Sequence, residues 1–164
     1  MPKRETETSA GAVGADAKKL KRENDIATFE AQRDEYTELL KDKTLSPQAI
    51  ARYEKERALA KWELAQLKSP NDLVQLEAAR KALVDAEVRH ERETEKGEWA
   101  KTIAELKVDL KEADESFKET YRNNLAEALL QKKEWENSWP AKEIELRKKF
   151  EATYALPSSV DSRF

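Results

Sequence analysis

Residues 99–139 read WAKTIAELKVDLKEADESFKETYRNNLAEALLQKKEWENSW, and this stretch decides the predicted fold class. Apolar side chains and alanines recur in it every three or four residues, with charged residues between them. The recurring positions, which we call the stripe, are Trp99, Ile103, Leu106, Leu110, Ala113, Phe117, Tyr121, Leu125, Ala128, Lys132, Trp135 and Trp139. Their mean spacing of about 3.64 residues is close to the helical period, so the stripe predicts one continuous, nearly straight helix.

The predicted helix extends towards the N-terminus, because no proline interrupts residues 71–138. At about 1.5 Å per residue, such a helix would reach about 100 Å. Gly97 leaves two alternatives open: it either ends one helix at a turn, or lies within a continuous helix at a cost of about 1 kcal/mol. We favour continuity, because no residue typical of a helix N-cap directly follows Gly97.

Two shorter helices are predicted before this long one. The first has an apolar face formed by Ile26, Phe29, Tyr36 and Leu40. Ser46-Pro47 and Ser69-Pro70 are typical of helix starts, because the serine hydroxyl caps a free amide and proline lacks one. We therefore expect helices at about 17–43 and 47–68, joined by loops short enough to make neighbouring helices antiparallel.

The helix at 47–68 has apolar or small residues on two sides, which predicts two packing partners. One side has Ile50, Tyr53, Arg57, Ala60, Leu64 and Leu67, and the other has Ala51, Lys55, Ala58, Trp62 and Ala65. Trp139-Pro140 predicts a third break, followed by a short helix to about residue 154. The predicted fold is all-α: an elongated antiparallel coiled coil, in which a helical hairpin packs on a long third helix.

The same patterns predict how the chain is divided. Residues 1–16 are small, polar and partly basic, so we expect a disordered tail. Residues 17–138 form the predicted hairpin and long helix. Residues 139–164 form the predicted short C-terminal helix and an extended tail.

Composition excludes several classes of protein. The chain of 164 residues has no cysteine, one histidine and three glycines, which excludes disulfide frameworks, thiolate metal sites and glycine-rich phosphate loops. No apolar run approaches the length of about 20 residues that spans a bilayer, and the first 17 residues lack the apolar core of a secretory signal. We expect an intracellular protein, cytoplasmic by default and nuclear in the alternative.

Charge is distributed unevenly along the chain. Residues 1–22 have six Lys/Arg and three Asp/Glu. Residues 23–140 have 20 Lys/Arg and 27 Asp/Glu, so this middle part is acidic. This acidic middle would repel phosphate groups, so binding to nucleic acid or to an anionic membrane is disfavoured. Lys3, Arg4, Lys18, Lys19, Lys21 and Arg22 resemble a two-part nuclear import signal. They favour a second hypothesis, a nuclear interaction or effector protein that uses its basic N-terminus.

One spacing in the chain resembles a metal-binding motif. Glu87 and His90 lie three residues apart, which places a carboxylate and an imidazole on one face of a helix. A di-metal site of this kind needs two copies and two further carboxylates, so a metal-binding helical bundle enzyme is only a third hypothesis. We expect no metal, cofactor, catalytic residue or small-molecule substrate.

The tryptophans lead to the main functional hypothesis. A helix of 68 residues extends beyond what a hairpin of two shorter helices, 17–43 and 47–68, can cover, so part of its stripe should need a partner. The predicted interface residues are Trp62, Trp99, Ile103, Leu110, Phe117, Tyr121, Trp135 and Trp139, and Trp and Tyr are common interface anchors. We expect a non-catalytic scaffold protein that acts through helix–helix contacts, with a second copy of itself or as a subunit of a larger assembly.

Overall fold

The computed structural model describes the backbone of residues 2–157 and the side chains of residues 14–157. These residues form four α-helices and no strand, which confirms the all-α class. The helices are α1 (Pro2–Leu39), α2 (Pro47–Lys68), α3 (Leu73–Glu112) and α4 (Glu115–Thr153). None of these described helices combines the length and the apolar character needed to cross a bilayer.

The start of α2 confirms the predicted cap. The Ser46 hydroxyl accepts a hydrogen bond from the amide of Ala49 at 3.1 Å, and Pro47 is the first helical residue. The next helix begins later than Ser69-Pro70 predicts. Asp72 caps α3 instead, because its carboxylate accepts a hydrogen bond from the amide of Gln75 at 3.2 Å.

The first helix begins at Pro2, within the segment for which composition predicts a disordered tail. The run from residue 15 to residue 23 is rich in Ala, Lys and Leu, which are strong helix formers. The division into a tail, residues 17–138 and residues 139–164 stays a prediction. Residues 158–164 of the predicted C-terminal tail lie outside the described part of the chain.

The single long third helix was a wrong prediction. The chain forms a bend at Ala113 and an extended residue at Asp114, and this break divides the stripe between α3 and α4. Asp114 has φ −63° and ψ 153°, the conformation typical of an N-cap. The helical spacing of the stripe continues across the break, so periodicity alone could not reveal it.

Gly97 lies within α3, as the continuous alternative predicts. The side chain of Gln48 lies directly against it and donates a hydrogen bond to the carbonyl of Glu93 at 3.4 Å. A Cβ at position 97 would overlap the Gln48 amide. The glycine therefore makes room for this close approach.

The chain divides into two compact units, each described here by itself. Unit 1 comprises Met1–Lys43 and Tyr53–Leu83. In it α1 and α2 run antiparallel: Arg22 donates to the carbonyl of Leu67 at 2.9 Å, and the rings of Tyr36 and Tyr53 lie 5.9 Å apart. Its buried side chains are Ala60, Trp62, Leu64, Leu76 and Leu83. Both predicted sides of α2 contribute to this core.

Unit 2 comprises Thr44–Arg52 and Val84–Phe164. Its helices α3 and α4 run antiparallel, because contacts join early residues of α3 to late residues of α4. The ion pair of Asp85 with Arg147 measures 2.5 Å, and Lys142 pairs with Glu95. The core cluster is formed by Val84, Val88, Trp139 and Phe150, with Trp135, Leu146 and Tyr154 packed against it.

The predicted break at Trp139-Pro140 is also wrong, because α4 continues through Pro140. Proline removes one backbone hydrogen bond and crowds the preceding turn. Trp139 lies just before the proline and Phe150 lies three turns after it, and both pack in the same cluster. Burial of both side chains favours a single helix over the local preference of proline for a helix end.

Candidate interaction surface

The two halves of the stripe cover each other to different degrees along unit 2. Near the core cluster the stripe is well covered: Ile103, Ala128 and Trp139 are buried. Residues 104–127, which we call the distal segment, include the end of α3, the break and the start of α4. No side chain in this distal segment is buried.

The distal segment nevertheless has large apolar side chains on its stripe. Leu106, Leu110, Tyr121 and Leu125 are half-buried, and Phe117 is 58% exposed. Two antiparallel helices cover only the sides that face each other, and a third or fourth helix is needed to enclose such a stripe. The distal segment therefore presents a continuous, half-covered apolar strip.

Local interactions at the break hold Phe117 in place. The amide of Phe117 donates to the carbonyl of Asp114 at 2.9 Å, which closes the first turn of α4. Lys118 pairs with Glu115 at 2.8 Å. The hydrogen bond and the charge of Lys118 lower the pKa of Glu115 below its ordinary value. An ionised Glu115 also suits the positive end of the helix dipole.

The structure places the predicted interface residues in different environments. Trp62, Ile103 and Trp139 are buried within their own chain, at 5%, 8% and 4% exposure. Trp99, Leu110, Tyr121 and Trp135 are half-buried, and Phe117 alone is exposed. Because a buried side chain has no free surface to offer, we do not carry Trp62, Ile103 and Trp139 further as interface residues.

Sequence reasoning missed the charged residues around Trp139. The Arg92 guanidinium and the Lys142 ammonium each lie 5.8 Å from the centre of its ring. Nearby, the hydrogen bond with Asp85 raises the pKa of Arg147 above its ordinary value. Arg92 is 47 positions from Trp139, so only the antiparallel fold-back brings the two together, whereas the i, i+3 spacing of Trp139 and Lys142 was visible in the sequence.

The metal-like pair has other contacts in the structure. The hydroxyl of Tyr154 donates to the carboxylate of Glu87 at 2.7 Å. The carbonyl of His90 accepts from the hydroxyl of Thr94 at 2.7 Å. Among the described residues, no three potential metal ligands are grouped closely enough to bind an ion. The geometry therefore adds nothing to the metal hypothesis.

The basic cluster at the N-terminus is described only in part. Lys18, Lys19 and Lys21 are exposed on α1, and Arg22 contacts the end of α2 through Leu67. The side chains of Lys3 and Arg4 lie outside the described residues. An import receptor reads an extended basic segment, so a helical backbone does not favour this hypothesis.

Comparison with protein-family models, with curated proteins and with solved structures finds no match to this chain in any of the three. Function must therefore be inferred from the residues and geometry of the chain itself.

Proposed function

We propose that the protein is a non-catalytic structural protein that self-associates through its distal segment. The observation that carries this proposal is the absence of any buried side chain between residues 104 and 127, where the stripe has five large apolar residues. Full burial of one such side chain contributes about 1.5–3 kcal/mol, and half-covered residues retain part of that free energy for a partner.

A second copy is the partner that best fits the geometry. The distal segment offers two antiparallel helices with one open side, and two such segments facing each other would form a four-helix bundle. Such a contact has the same surface on both partners, as two-fold dimers require. In this proposal the elongated antiparallel coiled coil predicted from sequence is completed by association. A larger assembly, with a different helical partner, is the alternative.

Sedimentation velocity across a range of protein concentrations tests the proposal. We expect the wild-type chain to form a reversible dimer and Phe117→Ser to weaken it at least tenfold, with helicity by circular dichroism unchanged. Val74→Ser is the matched control, because Val74 is 78% exposed and belongs to unit 1, whereas the distal segment belongs to unit 2. A wild-type chain that stays monomeric at all concentrations, or an equal effect of both variants, would contradict the proposal.

Trp139→Ala separates an interface role from a core role. Trp139 is buried in the core cluster, so its truncation should lower the free energy of unfolding by about 3–5 kcal/mol. Urea denaturation measures this loss directly. A variant that keeps its stability but no longer dimerises would restore Trp139 to the interface and move the association surface away from the distal segment.

A further inference from the structure

Unit 1 contains a cleft of about 410 Å³ between α1, α2 and the start of α3. Its apolar lining residues, which we call the floor, are Leu64, Ala65, Ala78 and Ala79, and the polar side chains of Ser69 and Gln75 also line it. Its rim has three cations, Arg33, Lys61 and Lys68. The volume lies within the range of about 300–1,000 Å³ that is typical of small-ligand sites. The residues that line the cleft belong to unit 1, and the distal segment belongs to unit 2.

The cations at the rim are only partly neutralised by the chain itself. Arg33 pairs with Asp34 at 3.0 Å and with Glu30 at 3.8 Å, and Lys68 pairs with the same Glu30 at 3.4 Å. Lys61 has no carboxylate partner among the described residues. Two carboxylates, those of Asp34 and Glu30, therefore serve Arg33 and Lys68, and Lys61 has none.

The environment of Lys61 disfavours its charge. Burial lowers its pKa below the ordinary value for a lysine, and the neighbouring charges of Arg57 and Arg33 lower it further. Below the lowered pKa the folded chain therefore bears the full cost of this repulsion, and the cost is relieved as pH rises through that pKa. A bound anion would relieve the same repulsion at neutral pH, because an opposite charge favours the ammonium form.

We propose that this cleft binds a small amphipathic anion, with a carboxylate head at the rim and an apolar body on the floor. The head would meet Lys61, with Arg33 and Lys68 on either side of it. The body would cover the small side chains of Ala65 and Ala79, which leave room beside Leu64. This binding site goes beyond the proposed self-association and does not depend on it.

Isothermal titration calorimetry with dodecanoate, below its micelle concentration, tests the site. We expect saturable binding of one dodecanoate per chain, weakened about two- to fivefold by Lys61→Gln, which removes one exposed ion pair. Lys101→Gln is the matched control, because Lys101 is an exposed lysine of α3 in unit 2 and lies outside the distal segment. Ala65→Leu fills the floor without changing charge, and it should weaken binding to a similar extent.

Three results would overturn this proposal. The first is no saturable heat with the wild-type chain. The second is equal affinity of the wild-type and Lys61→Gln chains. The third is equal binding of dodecanol, the uncharged analogue, which would indicate an apolar surface without anion recognition.

Discussion

Gly97 is a glycine in the interior of a helix of 40 residues, where glycine costs about 1 kcal/mol relative to alanine. The sequence analysis left two alternatives for Gly97, a turn or a continuous helix, and correctly favoured the continuous helix. It could not identify the reason for the glycine, because Gln48 lies 49 positions away in the chain. The contact appears only when the start of α2 packs on α3 within unit 2.

A double-mutant cycle tests this reason. Gly97→Ala alone should change the free energy of unfolding by less than about 0.5 kcal/mol, because the gain in helix propensity is offset by displacement of Gln48. In a Gln48→Ala background, the same substitution should stabilise the chain by about 1 kcal/mol. Urea denaturation of the four proteins measures both steps. Equal stabilisation in the two backgrounds would show that the Gln48 side chain places no constraint on residue 97.

At the scale of elements, the stripe explains what the sequence could and could not predict. Its period correctly predicts helix, and its positions, apart from the exposed Phe117, are buried or half-buried in the structure. The same period is found whether the chain continues as one helix or folds back as two antiparallel helices. The period therefore cannot show where one helix ends and the next begins. The signal for the break was chemical: Asp114 followed by Glu115 is typical of a helix start.

At Pro140 the prediction was wrong for a different reason. The tendency of proline to end a helix predicted a break there, but the packing of α4 keeps the helix continuous. The missing amide of Pro140 leaves the carbonyl of Glu136 without a helical donor, yet α4 continues because Trp139 and Phe150 are buried on the same cluster. The sequence could not predict that Trp139 and Phe150 would be buried together. The α3 residues that form the other half of the cluster are about 50 or more positions away in the chain.

Pro140→Ala should therefore raise the free energy of unfolding by about 1–3 kcal/mol, because it restores the backbone hydrogen bond and removes the clash of the ring. Asn137→Ala, at an exposed position of the same helix, is the control and should change stability by less than about 0.5 kcal/mol. Chemical denaturation compares the two variants. If Pro140→Ala were destabilising, a bend at the proline would be needed to bring Trp139 and Phe150 into one cluster.

At the scale of the molecule, two helices, α2 and α3, run through both compact units. One boundary between the units falls between Arg52 and Tyr53 in α2, and another falls between Leu83 and Val84, which are adjacent buried residues of α3. Helix formation is cooperative along the chain, and unwinding α3 in one unit exposes an end at the first buried residue of the other. We therefore expect the two units to unfold together in one transition.

The distribution of tryptophans allows this expectation to be tested. Trp62 lies in unit 1, and the other three tryptophans lie in unit 2, so fluorescence of a Trp62→Phe chain reports unit 2 alone. In that background, Leu76→Ala removes a fully buried side chain of unit 1 and should cost about 2–5 kcal/mol. If the units are coupled through α3, this substitution lowers the urea midpoint seen by fluorescence as much as the midpoint seen by circular dichroism. Val74→Ala is the control, because Val74 is an exposed residue two positions before Leu76, and it should move neither midpoint. An unchanged fluorescence midpoint in the Leu76→Ala chain would show that unit 2 unfolds independently of unit 1.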